Sequence, residues 1–367
     1  MIKVVTIVGA RPQFIKAAAV SQAFNNYHGR HIEEVLVHTG QHFDENMSRV
    51  FFDELDIPIP AYNLEISGGN HGSMTGRMLE AIENVLLQEK PNWVLVYGDT
   101  NSTLAGTLAA VKLHIPVAHV EAGLRSFNMH MPEEINRILA DRVSTMLLCP
   151  TDAAVANLQT EGITKGVHNC GDVMYDVALF YRERSRSQSK CMEKLALREG
   201  NFALATCHRA ENTDNPERLG GIAAALGRIA ENIPVVLPLH PRTRKLLADH
   251  GLTETLGKVR VTEPLPFFDM IALEQAAKVI LTDSGGVQKE AFFYGVPCIT
   301  LRDETEWVET VQIGANQLVG ASTAAILAAF DHVSHKERLV IQNTPYGEGD
   351  AADKIVALLA EYDSSNI

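Results

Sequence analysis

The sequence predicts an α/β protein made of two Rossmann-like halves, and three observations predict it. Short apolar runs alternate with amphipathic stretches, the strand–helix–strand order of a parallel sheet covered on both faces. The pattern restarts after a polar, charged stretch at 182–200, RERSRSQSKCMEKLALREG. The length of 367 residues amounts to two domains at roughly 150 residues each.

Taken in order, strands are expected at 2–8 (IKVVTIV), 33–38 (EEVLVH), 93–98, 115–120 and 145–149, with helical patterns at 12–25, 70–89, 101–113 and 133–143. The second series has strands at 202–207, 234–239, 258–262, 279–283 and 297–301, and helices near 215–231, 268–277, 286–294 and 321–331. The stretch 182–200 carries no strand, and the boundary is expected near 171, where Gly171-Asp172 follows the last strand of the first series. A final helix at about 350–362 suits either half.

Composition narrows the function. Hydrophobic residues make up 46% and charged residues 21%, as in a folded, soluble protein. The formal net charge of -13 repels nucleic-acid phosphates and anionic membranes, so neither is expected as a partner. A small anionic ligand remains compatible, because local donors and helix N-termini can hold a diphosphate inside an acidic protein. Five cysteines without a CxxC pair read as reduced thiols of a cytoplasmic protein. The opening MIKVVTIV runs straight into Gly9-Ala10-Arg11-Pro12 and reads as a strand and turn, not a signal peptide. No apolar run approaches the ~20 residues needed to span a bilayer.

In open parallel sheets ligands bind beyond the carboxyl ends of the strands, and the chemistry-bearing residues cluster there. Gly9 permits a tight turn after the first strand, and Arg11 and Lys16 fall by a helix N-terminus that favours a phosphate; surface charges on an ordinary turn are the bland alternative. His38-Thr39-Gly40-Gln41-His42 follows the second strand, and Gln41 and His42 are candidates for substrate hydrogen bonds. Asp99, after the third strand, is either a helix cap or a base. Glu121 ends an apolar run, where burial raises a carboxyl toward the range useful for acid–base work; a salt-bridged loop glutamate is the alternative. Pro132-Glu133-Glu134-Ile135-Asn136-Arg137 opens a helix in which Glu133 and Arg137 are spaced to pair at i,i+4. Beside Asp99 and Glu121 these residues would form a carboxylate cluster, the means by which one site obtains both an acid and a base.

In the second half His208 and His240 follow successive strands. Ser284-Gly285-Gly286 opens a later helix as a diphosphate cradle, with Glu290 farther along for a ribose hydroxyl pair. There is no GxGxxG, no Walker A sequence and no GxSxG elbow. The pattern is one of carboxylates, His, Arg and a phosphate cradle, with no metal, cofactor or nucleophile implied.

Seven ordered motifs, GARPQFIK (9–16), HTGQH (38–42), YGDTNST (97–103), HVEAGLRS (119–126), PEEINR (132–137), HRAEN (208–212) and DSGGVQKEA (283–291), resemble those of the non-hydrolysing UDP-N-acetylglucosamine 2-epimerases over almost the whole chain. The resemblance implies the GT-B fold shared with glycogen phosphorylase, two Rossmann-like domains facing a cleft. The divisions would be 1–171 plus 350–367 for the N-terminal domain, since the family's last helix crosses back, and 172–349 for the UDP-binding domain.

It also implies a cofactor-free reaction in which UDP is eliminated across C1 and C2 to give a 2-acetamidoglucal and then re-adds after protonation on the other face. By the family motifs, Asp99, Glu121, Glu133 and His208 would be catalytic. Arg11, His240, Ser284, Gly285, Gly286 and Glu290 would hold UDP, while Lys16 and Arg137 would contact the substrate.

The chain has Thr305-Glu306-Trp307-Val308-Glu309 where plain UDP-GlcNAc enzymes look like TERPE, Arg209-Ala210 inside HRAEN where theirs is HRREN, and a longer QHFDENM loop. These departures resemble the subgroup acting on UDP-2,3-diacetamido-2,3-dideoxyglucuronic acid for bacterial O-antigen. A homodimer is implied too. The rival readings are a retaining GT-B glycosyltransferase using a UDP-sugar, a hydrolysing 2-epimerase and a non-catalytic nucleotide-sugar binder.

Overall fold

The computed structural model describes residues 1–29, 31–41, 59–334 and 345–362. The chain divides into two compact units, Met1–Val177 with Thr344–Ile367, and Ala178–Asn343.

The first unit is built on seven parallel strands, β1 Ile2–Val8, β2 Ile32–His38, β3 Tyr62–Asn63, β4 Trp93–Tyr97, β5 Val117–Val120, β6 Met146–Cys149 and β7 Val167–Asn169. They lie in the order β3-β2-β1-β4-β5-β6-β7. The apolar runs are continuous because both faces are covered: β1 is buried at six of its seven positions. Ile7 sits in register with Val37 and Val96 and joins Met78, Ile82, Ala105 and Ala109 in one core cluster. The helix Asn101–Lys112 lies close on the sheet, since a Cβ on Gly106 would stand 2.7 Å from Ile7 Cδ1. Strand order reverses between β1 and β4, the switch point beyond which open sheets hold ligands. The C-terminal helix Ala351–Glu361 packs in this unit against the helix Arg11–Asn26, and Asp176 Oδ2 accepts a bond from Ala352 N (2.7 Å) in its first turn.

The second unit repeats the plan with β8 Ala203–Thr206, β9 Val235–Pro238, β10 Arg260–Thr262, β11 Val279–Thr282, β12 Cys298–Thr300 and β13 Asn316–Leu318. All are parallel, in the order β10-β9-β8-β11-β12-β13, with the switch between β8 and β11. Helix Pro216–Ile229 places Leu219, Ile222, Leu226 and Ile229 at helical spacing into a core with Leu237, Leu281 and Ile299.

The polar stretch 182–200 has no strand, as expected, but it is largely helical, Val173–Gln188 followed by Cys191–Lys194. The first of these helices is anchored just before the stretch by Tyr181, edge-on to Phe267 and tilted on Phe268, and within it by buried Ser185; buried Cys191 anchors the second. Among the described residues no helix is long and apolar enough to cross a membrane.

Candidate active site

In the first unit the site begins at the turn after β1. Gln13 closes it: its Oε1 accepts from Gly9 N (2.8 Å) and Ala10 N (3.1 Å). Its Nε2 donates to Tyr97 O (2.6 Å), Thr100 Oγ1 (3.0 Å) and Thr103 Oγ1 (3.0 Å). One buried amide thus joins the turn after β1 to the turn after β4. A side chain on Gly9 would strike Ser102 Oγ at 2.1 Å and Thr39 Oγ1 at 2.2 Å, so this close approach requires glycine.

Lys16, on the helix that follows, is buried and ion-pairs with Glu121. Glu121 stands just beyond β5 in the left-handed region, φ 67°, a conformation that costs roughly 1–2 kcal/mol. Its N–H is held by Leu148 O at 3.1 Å. A Cβ on Gly98 would lie 3.3 Å from Glu121 Oε2 and 3.7 Å from Lys16 Nζ, so the glycine keeps a bare wall beside the pair.

Asp99 is not the cap of the helix Asn101–Lys112. Thr100 is, its Oγ1 accepting from Thr103 N (3.3 Å). The Asp99 side chain instead pairs with Arg137, while its carbonyl accepts from Asn136 Nδ2 (2.9 Å). Both partners lie on the helix Pro132–Val143.

That helix corrects one expectation. Glu133 is exposed, and the guanidinium of Arg137 goes to Glu134 Oε2 (2.8 Å) and to Asp99. One residue along a helix is about 100° of rotation, which turns Glu134 inward. There it accepts from Ser126 N (3.0 Å), Ser126 Oγ (3.0 Å) and Phe127 N (2.9 Å).

Gln41 Oε1 accepts from Ser102 N (3.1 Å) and Ser102 Oγ (2.7 Å), fixing its side chain to a helix start. His42 lies outside the described residues. His38 is buried edge-on to Phe14 at 4.9 Å, and burial pushes its imidazole down to about 4. It is therefore neutral at ordinary pH. Arg11 is half-buried at the start of its helix.

In the second unit Asp283, fully buried just after β11, organises the loop after β8. It accepts from His208 N (3.1 and 3.0 Å to its two oxygens), Arg209 N (3.0 Å) and Asn212 Nδ2 (3.2 Å). His208, about half exposed, has Nδ1 at 3.4 Å from Asp283 Oδ1. Ser284 caps the helix Gly285–Phe293 through Val287 N (3.5 Å). The first-turn amides of Gly285 and Gly286 have no acceptor within the helix. A Cβ on Gly285 would stand 3.3 Å from the Trp307 indole nitrogen, 3.8 Å from an Arg209 guanidinium nitrogen and 4.0 Å from Glu306 Oε2, so two N–H donors and one carboxylate flank the turn. Lys289 sits over the Trp307 ring at 3.9 Å. His240, exposed after β9, caps its own helix by accepting from Arg242 N at Nδ1 (3.2 Å). Glu290 is half-buried on the cradle helix.

Of the expected residues, Arg11, Gln41, Asp99, Glu121, His208, His240 and Ser284-Gly285-Gly286 follow the carboxyl ends of β1, β2, β4, β5, β8, β9 and β11 in turn, whereas Lys16, Glu133, Arg137 and Glu290 stand farther along helices. Sequence reasoning missed Gln13, Glu134, Asn136, Asp283 and a buried His119–Asp141 pair. For Asp283 a signal existed, a carboxylate at the end of a fully apolar strand. Among the described residues no group of His, Cys, Asp and Glu is arranged to hold a metal ion.

A family model described as UDP-N-acetylglucosamine 2-epimerase matches residues 25–360. UDP-2,3-diacetamido-2,3-dideoxy-D-glucuronate 2-epimerase of Pseudomonas aeruginosa is 55% identical over 98% of this chain and 99% of its own length. A crystal structure of Methanocaldococcus jannaschii UDP-GlcNAc 2-epimerase in complex with UDP-GlcNAc and UDP aligns with a TM-score of 0.90 at 43% identity, covering 98% of this chain and 99% of that one. The Neisseria meningitidis UDP-GlcNAc 2-epimerase bound to UDP-GlcNAc aligns with a TM-score of 0.89 at 31% identity, covering 98% of this chain and 100% of that one.

Proposed function

Because the chain belongs to the UDP-N-acetylglucosamine 2-epimerase family, we propose that it inverts C2 of a UDP-linked 2-acetamido sugar, with UDP-2,3-diacetamido-2,3-dideoxyglucuronate its preferred substrate. The preference is supported by the 55% identity to the Pseudomonas aeruginosa enzyme and by Trp307 in place of an arginine. The single observation that carries the chemistry is a pair of carboxylates at adjoining strand ends, each paired with a cation: Glu121 with Lys16, and Asp99 with Arg137, which Glu134 shares.

A base takes the C2 proton while the C1–O bond breaks and UDP leaves with the electron pair, giving a 2-acetamidoglucal. An acid then returns a proton to C2 on the opposite face, and a UDP oxygen closes on C1. Nothing is oxidised or reduced overall, so the reaction balances without a nicotinamide. Asp99, Glu121, Glu133 and His208 are the proposed proton-handling set, and Lys16, Arg137, Gln41 and His42 the sugar contacts. The cradle amides of Ser284-Gly285-Gly286, with Arg11, His240 and Glu290, hold UDP and stabilise charge on the departing diphosphate. Glu134, by its ion pair, orients Arg137.

The enzyme would act in the cytoplasm, a reducing compartment in keeping with five buried free cysteines, and supply 2,3-diacetamido-mannuronate to O-antigen. It would do so as a homodimer, for which the exposed stripe Ile135, Leu139 and Val143 on one helix face is a candidate surface.

The test is proton NMR in D2O with UDP-GlcNAc and then the diacetamido-glucuronate analogue. Deuterium entering C2 with a new manno anomeric signal is expected, faster with the second. No exchange with either, despite UDP binding, would refute the epimerase reading for these sugars and favour transfer chemistry.

A further inference from the structure

Behind the proposed carboxylates lies a buried network that the reaction itself does not use. His119, within β5 and two residues before Glu121, is fully enclosed. Its Nδ1 is 2.8 Å from Asp141 Oδ1, and its Nε2 is 2.7 Å from the carbonyl oxygen of Gly98. A carbonyl can only accept, so Nε2 carries a proton. The other Asp141 oxygen accepts from Gly123 N (3.0 Å) and Arg125 Nη1 (2.7 Å), and the adjacent guanidinium favours the carboxylate form. Both ring nitrogens therefore face acceptors, and an imidazole between two acceptors needs two protons.

The charges close. Arg125 also grips Glu161 through Nε (2.6 Å) and Nη2 (2.8 Å), so Arg125 and His119 balance Asp141 and Glu161. Burial alone would raise the Asp141 carboxyl, but His119 and Arg125 outweigh it and hold it below its ordinary value. The neighbouring Cys149 thiol is pushed far up by burial and adds no charge. The Lys16–Glu121 pair, beyond Gly98, is balanced in itself.

We propose that His119 is a positioning residue, held as a buried imidazolium that pins the Gly98–Asp99 turn to the helix Pro132–Val143. That helix meets the turn at two further points, Asn136 to Asp99 O and Arg137 to the Asp99 side chain. His119 supplies the third, from inside the sheet. It fixes where the Asp99 carboxylate stands relative to Glu121, whose Oε2 lies beside Gly98. Its catalytic consequence rests on the proposed roles of Asp99 and Glu121, while its protonation state does not.

The experiment has two arms on the full chain. Nitrogen-15 histidine NMR of the wild-type protein is expected to show one ring with both nitrogens protonated, as the two acceptors require, absent in His119→Gln. A His119 ring with a single proton, whether the other sits on Asp141 or in solvent, overturns the proposal, and this arm needs no folded variant. In the second arm His119→Gln is expected to lower kcat on the order of 100-fold, the cost of a misplaced reacting group, with UDP binding unchanged. If His119→Gln keeps wild-type kcat while Asp99→Asn and Glu121→Gln lose theirs, the positioning role is refuted and the epimerase roles stand. If those two variants also keep full activity, the roles beneath it fail, and the histidine spectrum alone decides the imidazolium.

Discussion

Replacing Asp283 by alanine tests whether the second unit's loop geometry is held as described. The carboxylate takes the backbone amides of His208 (3.1 and 3.0 Å) and Arg209 (3.0 Å) and one amide proton of Asn212 (3.2 Å), all from a fully buried position. Asn212 keeps a second acceptor, Leu301 O at 2.9 Å, so the loss falls mainly on the two backbone donors. Leaving a buried donor bare costs about 1–3 kcal/mol; two half-buried ones, with a smaller share for Asn212, give roughly 2–4 kcal/mol. That is a large part of the ~5–15 kcal/mol that holds a typical domain together.

Asparagine at 283 can keep an oxygen in the place of Oδ2, which receives all three donors, and should cost only about 1–2 kcal/mol, the charge-assisted increment. The two tryptophans, Trp93 and Trp307, fall one in each unit. In a Trp93→Phe background, urea titration followed by Trp307 emission therefore reports the second unit. An Asp283→Ala transition within about 1 kcal/mol of its parent would refute the reasoning, as would an asparagine variant no better than alanine.

Two further perturbations probe the first unit. Lys16→Met removes the buried cation that pairs with Glu121 and should destabilise by up to roughly 3–5 kcal/mol, the cost of breaking a buried ion pair; adding Glu121→Gln should recover much of that loss in thermal unfolding, and strictly additive effects would sink the pair as a unit. Burial raises the Asp176 carboxyl from 3.8 to about 6. A carboxyl raised in the folded state contributes stability below its unfolded value, lost as pH climbs through the folded one. Denaturant titrations should therefore show wild type losing about 2–3 kcal/mol relative to Asp176→Asn between pH 4 and pH 7, and a constant gap would contradict the shift.

Much of the fold was legible because its strands are buried on both faces. Runs such as IKVVTIV and VILTD need no periodicity to stand out, and the Gly-rich turns after them mark the carboxyl ends where an open sheet holds its ligand. Illegible were short strands made largely of polar residues, β3 (YN) and β13 (NQL); β10 and β12, also only three residues each, stood out through the longer runs around them, KVRVT and PCITL. The helical part of 182–200 escaped because it is mostly polar and charged, while the apolar residues of the same helix, Val177, Ala178 and Tyr181 among them, come before it.

The site divides along a different line, sequence separation. A partner one helical turn away can be read from spacing, yet the spacing of Glu133 and Arg137 at i,i+4 misled. Glu134, at i,i+3, is an equally good neighbour on a helix surface. What decides between them is the loop carrying Ser126 and Phe127, whose amides donate to Glu134, and no local pattern places that loop. The pairs that define the site are farther apart still: Asp99 is 38 residues from Arg137, and Lys16 is 105 from Glu121. Strand-end position foretells that such side chains converge but not which charge meets which. Pairing is set by side-chain direction at one turn, as when φ 67° swings Glu121 out of its strand, and that angle is a product of the folded sheet. Sequence thus names the set of charged groups, and tertiary geometry assigns each its counterion, which is why the role of Glu134 emerges only in the folded structure.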